Sequence, residues 1–328
     1  MPDSIAKARA LWFVAPRRVE LRDEALSVAG PGEVVVRGLA SAVSQGTELL
    51  LYRGEGPARF DDSLALSDPR GDSTYPRRYG YSWVGEIVGG DAARTGEHVF
   101  ALATHADAHV LRGADARAIP ADVPATRAVL AANLETAITC AWDAEVALGD
   151  RVVVLGGGVV GALSAWLLGR SGACVTLVER SARRRAAAAA LLPSSAIVEN
   201  AAPDARCDVV IEATGDPRSL DDAVAWCAME ARVIVASFYG ARRAPVDLGD
   251  AFHRRRLTLR ATQVSTIPPR LSARWTAARR WDLVTELLRE PGLDSLVAAP
   301  IPFDRASDLY ATLDRDDDLP PAHVFVYR

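Results

Sequence analysis

A glycine-rich turn joins a short apolar run to an apolar stretch with helical character. The run at residues 152–155 leads into Gly-Gly-Gly-Val-Val-Gly, and residues 159–168 continue as the predicted helix. Glycines at this spacing let the chain turn tightly, let backbone N–H groups approach a pyrophosphate and let the helix pack on the strand. The helix N-terminus favours the anion, so the spacing predicts a dinucleotide site. The predicted contacts in this turn are Gly156, Gly158, Val159, Val160 and Gly161.

An acidic residue follows at the distance that this chemistry requires. Glu179 ends the next predicted strand, 23 residues after Gly156, where a carboxylate accepts hydrogen bonds from the adenosine ribose hydroxyls. A carboxylate there repels the 2′-phosphate of NADP, which favours NAD. Arg180 and Arg184 stand beside it and are candidate cofactor contacts, so NADP stays open as the alternative.

Composition excludes several classes of function. The 328 residues carry 38 Lys and Arg against 42 Asp and Glu, a net charge of −4, which argues against nucleic acid or membrane as a partner. The partner that we expect is a small-molecule substrate. The four cysteines form no C-x-x-C pair, and the first residues lack the pattern of an export signal. We therefore expect reduced thiols and a cytoplasmic protein.

The pattern of elements changes along the chain. Up to about residue 124, short alternating runs and turn residues predict a β-rich unit, with a long polar segment at 53–79 that suggests a functional loop. From there to residue 264, apolar strands alternate with helices, which predicts a doubly wound parallel sheet. Residues 265–328 are expected to complete the first unit, ending in a strand at 323–327.

In this order of elements the chain resembles the medium-chain dehydrogenase/reductase superfamily, which includes the zinc-type alcohol dehydrogenases. More narrowly, SQGTELLLYRG, YGYSWVGEIV, NLETA and FHRRRLTLRATQV are similar to a bacterial subgroup related to bacteriochlorophyllide dehydrogenase. The resemblance implies the α/β fold class, with a GroES-like β-rich catalytic domain at 1–124 and a Rossmann domain at 125–264. It also implies a homodimer through the Rossmann edge strand at 257–261. Further cofactor contacts that it implies are Ala213, Thr214, Ser237 and Phe238.

The zinc ligands of that superfamily are missing from the matching positions. Gln45 matches the catalytic cysteine, Tyr81 matches the ligand histidine, and Asn133 lies near the third ligand. These side chains are poor ligands for Zn²⁺. His105 and His109 offer no substitute, because in an alternating strand their rings lie roughly 13 Å apart, although a helix would allow chelation. We therefore predict no metal.

Without a Lewis acid, hydrogen-bond donors must stabilise the alkoxide that hydride transfer creates or consumes. Thr47 matches the proton-relaying hydroxyl of the zinc relatives, and Tyr81 places a phenol at a former ligand position. We expect both to hydrogen-bond the reacting oxygen, with Glu48 or His105 connecting them to solvent. Glu135 in NLETA is expected near the domain junction.

The leading prediction is a zinc-independent, NAD(H)-dependent oxidoreductase that interconverts an alcohol and a ketone or aldehyde on a bulky specialised metabolite. One alternative is an NADPH-dependent enoyl or quinone reductase. Another is a catalytically silent dinucleotide-binding protein.

Overall fold

The computed structural model describes residues 5–56, 74–193, 195–200, 206–316 and 318–327. The predicted functional loop at 53–79 falls largely outside this set, because its residues 57–73 are not among those described.

The first part of the chain is rich in β-structure. Its elements are β1 (Lys7–Ala15), β2 (Arg18–Ala25), β3 (Glu33–Val43), α1 (Gln45–Arg53), β4 (Trp83–Gly89), β5 (His98–Ala101), β6 (Ala108–Arg112) and β7 (Arg117–Ala118). The strands β1 and β2 form an antiparallel hairpin, whereas β3 pairs with both β4 and β6. Alternate residues of β3 are buried, as expected for a strand with one face on a core.

The middle of the chain alternates helices and strands. Its elements are α2 (Ala125–Ala128), α3 (Ala131–Ala144), β8 (Arg151–Leu155), α4 (Val159–Arg170), β9 (Cys174–Val178), α5 (Ala182–Leu191), β10 (Ala196–Val198), β11 (Cys207–Glu212), α6 (Ser219–Trp226), β12 (Cys227–Val235), α7 (Ala251–Arg254) and β13 (Thr258–Ala261). The six strands form a parallel sheet in the order β10-β9-β8-β11-β12-β13. Val152, Val153 and Val154 of β8 are all buried, which is typical of a strand covered by helices on both faces.

The last part of the chain returns to the first. Its elements are α8 (Ala277–Leu287), β14 (Ile301–Pro302), α9 (Ala306–Arg315) and β15 (His323–Val326). The strand β15 pairs antiparallel with β3 and extends a sheet of order β14-β15-β3-β4-β5-β7. The predicted terminal strand thus joins the first part of the chain, as expected. The helix α9 packs on α1 and β2, whereas α8 packs on α3 beside the parallel sheet. The predicted fold class, a β-rich unit joined to a doubly wound parallel sheet, is confirmed.

Two local predictions differ from the structure. The apolar spacing predicts a helix over residues 220–229, but the helix ends at Trp226, because Cys227 adopts an extended conformation and pairs with Cys207 of the neighbouring strand. The strand predicted around both histidines begins only at Ala108, so it contains His109 but not His105.

No helix in the described part of the chain is long and apolar enough to cross a membrane.

Candidate active site

A cleft of about 2540 Å³ opens where the parallel sheet faces the β-rich part. One wall is formed at the carboxyl ends of β8, β9, β11 and β12, and the opposite wall includes α1 and Tyr81. The strand order reverses between β8 and β11, and in open parallel sheets ligands bind at such a switch point. Because ligand pockets usually enclose about 300–1,000 Å³, this cleft has room for more than one small molecule.

The glycine-rich turn forms the floor of this cleft. Gly156 has φ +95°, and a Cβ there would lie 2.6 Å from the Ala213 carbonyl oxygen. A Cβ on Gly161 would lie 1.8 Å from the Gly156 carbonyl oxygen, so this glycine supports the turn from behind and does not line the cleft. A Cβ on Gly158 would meet nothing within 4 Å and would point into open space. The turn is therefore shaped to let a ligand approach the backbone at Gly158.

The helix that follows offers hydrogen-bond donors. The 12-residue α4 begins at Val159, and Gly158, its N-cap, supplies no side-chain hydrogen bond to the first turn. The first N–H groups of a helix lack partners within it, and together with the helix dipole they bind anions. Val159 and Val160 line the cleft at this point. The site fits the pyrophosphate of a dinucleotide.

Glu179 is held in place at the end of β9. One carboxylate oxygen accepts from Gly157 N at 2.7 Å, the other accepts from Ser181 N at 2.7 Å, and the residue is 6% exposed. Each carboxylate oxygen has a second lone pair, so the group can also accept from ribose hydroxyls. The orientation is thus fixed before a ligand arrives.

The two predicted arginine contacts differ in their surroundings. Arg180 is exposed and lines the cleft. Arg184 also lines it, but its guanidinium donates to Gln45 Oε1 at 3.1 Å and to the Leu319 carbonyl oxygen at 3.0 Å. Arg184 therefore links α5 to the β-rich part and is engaged without any cofactor phosphate.

The remaining predicted cofactor residues line the same wall. Ala213 and Thr214 follow β11, and Ser237 and Phe238 follow β12. Ser237 Oγ accepts from Gly215 N at 2.8 Å, which ties the two loops together.

A buried acid that the sequence analysis missed fixes these loops. Glu212 is fully buried and accepts from the hydroxyls of Thr214 at 2.6 Å, Ser219 at 2.9 Å and Tyr239 at 2.5 Å. Its signal in the sequence is an acidic residue that ends an otherwise apolar strand.

Three hydroxyl groups meet on the opposite wall. Tyr81 Oη and Ser44 Oγ lie 2.5 Å apart, and Thr47, one turn further into α1, also hydrogen-bonds the phenol. Burial raises the pKa of Tyr81 and the nearby Glu48 charge acts in the same direction, while the hydrogen bonds from Ser44 and Thr47 oppose both. The phenol stays protonated at neutral pH and can act as a proton donor. Ser44 was missed by the sequence analysis, although its place just before α1 marks it as an N-cap.

The predicted relay residues lie behind this wall. Glu48 and His105 are fully buried, and neither lines the cleft. His105 Nε2 is 3.0 Å from Glu48 Oε2, and His105 Nδ1 is 2.7 Å from Ser41 Oγ. The prediction that they connect the site to solvent is wrong, because both are enclosed by their own partners.

The positions that carry zinc ligands in the resembling enzymes do not fit zinc. Gln45, Tyr81 and Asn133 all line the cleft, but amide and phenol groups are poor Zn²⁺ ligands. Gln45 Nε2 donates to His323 Nδ1 at 2.9 Å, and the Arg184 cation on Gln45 Oε1 would repel a divalent ion. Within the described ranges, no group of three His, Cys, Asp or Glu side chains is placed to hold a metal.

The two candidate histidines have separate partners. His109 Nε2 is 2.8 Å from the Thr104 carbonyl oxygen, and its ring packs edge-on against Trp83. His105 instead contacts the buried Glu48 carboxylate, so the two rings bind different partners.

Glu135 joins three elements at the edge of the cleft. It accepts from both terminal nitrogens of Arg117 at 3.0 Å and from Arg280 Nε at 3.3 Å, and it is 5% exposed. The Arg117 guanidinium lies 3.8 Å from the ring centroid of Trp281. The expected position near the junction is thus observed, and the carboxylate there bridges β7, α3 and α8.

No protein-family model matches the chain. A curated relative, the 2-desacetyl-2-hydroxyethyl bacteriochlorophyllide A dehydrogenase of Cereibacter sphaeroides, is 29% identical over 95% of this chain and 96% of its own.

Solved structures share the fold over nearly the whole chain. Acetophenone reductase from Geotrichum candidum, solved with NAD, has a TM-score of 0.78 at 15% identity, covering 99% of this chain and 98% of its own. A dehydrogenase of Sinorhizobium meliloti 1021, solved with NADP, has a TM-score of 0.75 at 18% identity. The match covers 98% of this chain and 99% of that dehydrogenase. With its two sheets, its glycine-rich turn and its full-length likeness to these structures, the chain shares their fold.

Proposed function

We propose that this chain is an NAD(H)-dependent oxidoreductase that interconverts an alcohol and a ketone or aldehyde without zinc. The observation that carries the proposal is Tyr81, which lines the same cleft as the glycine-rich turn and whose hydroxyl group hydrogen-bonds Ser44 and Thr47. A protonated phenol supplies what a metal-free site needs, a donor for the reacting oxygen.

In the direction of reduction, the nicotinamide supplies a hydride to the carbonyl carbon when the cofactor is bound. Tyr81 donates a hydrogen bond to the carbonyl oxygen and gives it a proton as the charge on that oxygen develops. Thr47 lines the cleft beside the phenol and supports the same oxygen as a second hydrogen-bond donor. In oxidation the phenolate form of Tyr81 takes the proton back, which follows from microscopic reversibility.

Contacts around the adenosine end support NAD over NADP. The Glu179 carboxylate is fixed by two backbone donors, so it cannot easily turn away from a 2′-phosphate. Arg184 is held by Gln45 and Leu319, which removes one of the two candidate phosphate ligands.

The size and lining of the cleft support a bulky substrate. Its 2540 Å³ includes the dinucleotide site and leaves space beyond it, which the exposed apolar side chains of Leu102 and Phe238 help to line. Large apolar side chains that stay exposed in a cleft are suited to contact an extended apolar ligand.

A panel of ketones, aldehydes and α,β-unsaturated ketones, each offered with NADH and with NADPH, tests this function. We expect carbonyl reduction with NADH at a higher kcat/KM than with NADPH. Reduction of the enone double bond with NADPH would instead support an enoyl or quinone reductase. Tight NADH binding without turnover on any compound would support a silent binding protein.

A further inference from the structure

Ser44 occupies an unusual position for an N-cap serine. It precedes α1, is half-buried and lines the cleft. Serine is favoured at this position because its hydroxyl accepts from a backbone N–H of the first turn. The Ser44 hydroxyl makes no such bond, and hydrogen-bonds the phenol of Tyr81 at 2.5 Å instead. The side chain is thus directed toward the proposed proton donor and away from its own helix.

The buried acid behind the wall holds the Ser44 backbone. Glu48 Oε1 accepts from Ser44 N at 2.8 Å. Its other oxygen accepts from the hydroxyl of Tyr310 and lies 3.0 Å from His105 Nε2. Because Glu48, His105 and Tyr310 are all fully buried, this anchor is closed to solvent.

After Tyr81 has given its proton to the substrate, the phenolate must be reprotonated, and Ser44 is placed to supply the proton. A phenol that has given up its proton in a half-buried site, close to the Glu48 carboxylate, is unstable until a new proton arrives. Glu48 and His105 cannot bring one, since neither reaches the cleft. Ser44 touches Tyr81 on one side and the open cleft on the other.

We propose that Ser44 is the residue that relays the proton between Tyr81 and solvent in the cleft. In reduction, the Tyr81 O–H bond breaks as the substrate oxygen gains the proton. The Ser44 hydroxyl proton then moves to Tyr81 Oη, and the solvent returns one proton to Ser44 Oγ. The substrate carbon is reduced by the hydride, the nicotinamide is oxidised, and each turnover consumes one solvent proton. This inference rests on the proposed function, and Glu48 acts in it as a positioning residue.

Ser44→Ala and Ser41→Ala form a matched pair for testing the relay. Ser41 is also a serine that bonds a tyrosine, with Ser41 Oγ 2.6 Å from Tyr327 Oη, but it is buried and does not line the cleft. We expect Ser44→Ala to lower kcat for ketone reduction by about tenfold or more with little change in KM, since a proton-transfer step is impaired. Ser44→Thr should restore most of the rate, and Ser41→Ala should keep the pH profile of the wild type.

Tyrosine ¹³Cζ NMR on cofactor-free protein gives a readout that is independent of turnover, with the Tyr81 resonance assigned by its loss in Tyr81→Phe. The relay requires this resonance to shift in Ser44→Ala and to stay in place in Ser41→Ala. An unshifted resonance, or a Ser44→Ala variant as fast as an active wild type, would overturn the relay and leave the proposed function intact. A wild type that reduces no carbonyl compound would overturn the proposed function, whatever the NMR result.

Discussion

At the scale of single residues, the proposed mechanism depends on the hydroxyl group of Tyr81, which burial keeps protonated. The pKa of Tyr81 is raised mainly by its burial, so the phenol keeps its proton across the neutral range. In the resembling zinc enzymes a metal would polarise the substrate oxygen at this place. In the proposed mechanism the Tyr81 phenol takes the place of the metal, and it must be neutral to donate a hydrogen bond to that oxygen.

Tyr81→Phe removes that donor and little else. We expect kcat for ketone reduction to fall roughly 100-fold, the lower end of what general acid catalysis contributes, with the Kd for NADH unchanged. Tyr52→Phe is the control, because Tyr52 is a buried tyrosine that stacks on Tyr310 and does not line the cleft. Steady-state kinetics and a fluorescence titration with NADH measure the two quantities. Equal turnover in Tyr81→Phe and wild type would remove Tyr81 from the mechanism.

His323 makes the fold sensitive to acid. Burial, aided by the charge of Arg184, lowers the pKa of His323 to about 4, whereas an unfolded histidine titrates near 6.5. The folded state thus requires the neutral ring. Stability is unaffected above pH 6.5 and falls as the pH drops from 6.5 towards 4, by about 3 kcal/mol in total.

The variant His323→Asn keeps an acceptor for Gln45 Nε2 but has no titrating ring. Urea unfolding at pH 7 and at pH 4.5 should show a smaller loss of stability on acidification in the variant than in the wild type. The same loss in both proteins would show that other groups account for the acid sensitivity.

At the scale of elements, local and long-range features were not equally predictable. The glycine-rich turn, Glu179 and the alternation of strands with helices could be predicted from the sequence, because spacing and periodicity along a short stretch determine them. The contacts of Gln45 with Arg184 and His323 join positions more than 100 residues apart, so no local sequence pattern predicts them. The burial of Glu48 and His105 depends on α9 and β15, which pack against them from the end of the chain.

Two glycines of the turn have different roles, and substituting each by alanine should affect cofactor binding in one case and thermal stability in the other. Gly158→Ala places a Cβ in open cleft where the pyrophosphate would lie, so we expect NADH affinity to fall at least about tenfold with the thermal midpoint unchanged. Gly161→Ala places a Cβ 1.8 Å from the Gly156 carbonyl oxygen and should lower the midpoint itself. Calorimetry and an NADH titration on both variants check this, and an undiminished affinity in Gly158→Ala would place the cofactor elsewhere.

At the scale of the whole molecule, charged side chains join the β-rich part to the helices that flank the parallel sheet on two sides of the cleft. Glu135 bridges Arg117 and Arg280 on one side, and Arg184 reaches Gln45 on the other. The cleft walls are therefore held at a defined separation by charged contacts.

Among the strands that the structure describes, β13 lies at one edge of the parallel sheet, with no strand beyond it. Thr262 N donates to the Val235 carbonyl oxygen, so by alternation the N–H of Leu259 points away from β12. We propose that a second copy pairs at β13, and light scattering should give a mass close to twice 35.0 kDa. Leu259→Pro removes the outward N–H, which an edge strand tolerates, and should yield a folded monomer. A wild type that is monomeric at micromolar concentration contradicts this assembly.

Carbonyl reduction by metal-stripped protein is the most direct test of the proposed zinc-independent mechanism. After chelation and elemental analysis for zinc, NADH oxidation is followed with the best ketone of the panel, before and after zinc is added back. We expect the same rate in both samples, because in the proposed mechanism Tyr81 and its neighbouring hydroxyls supply the acid that the step needs. A rate that appears only when zinc is restored would contradict it.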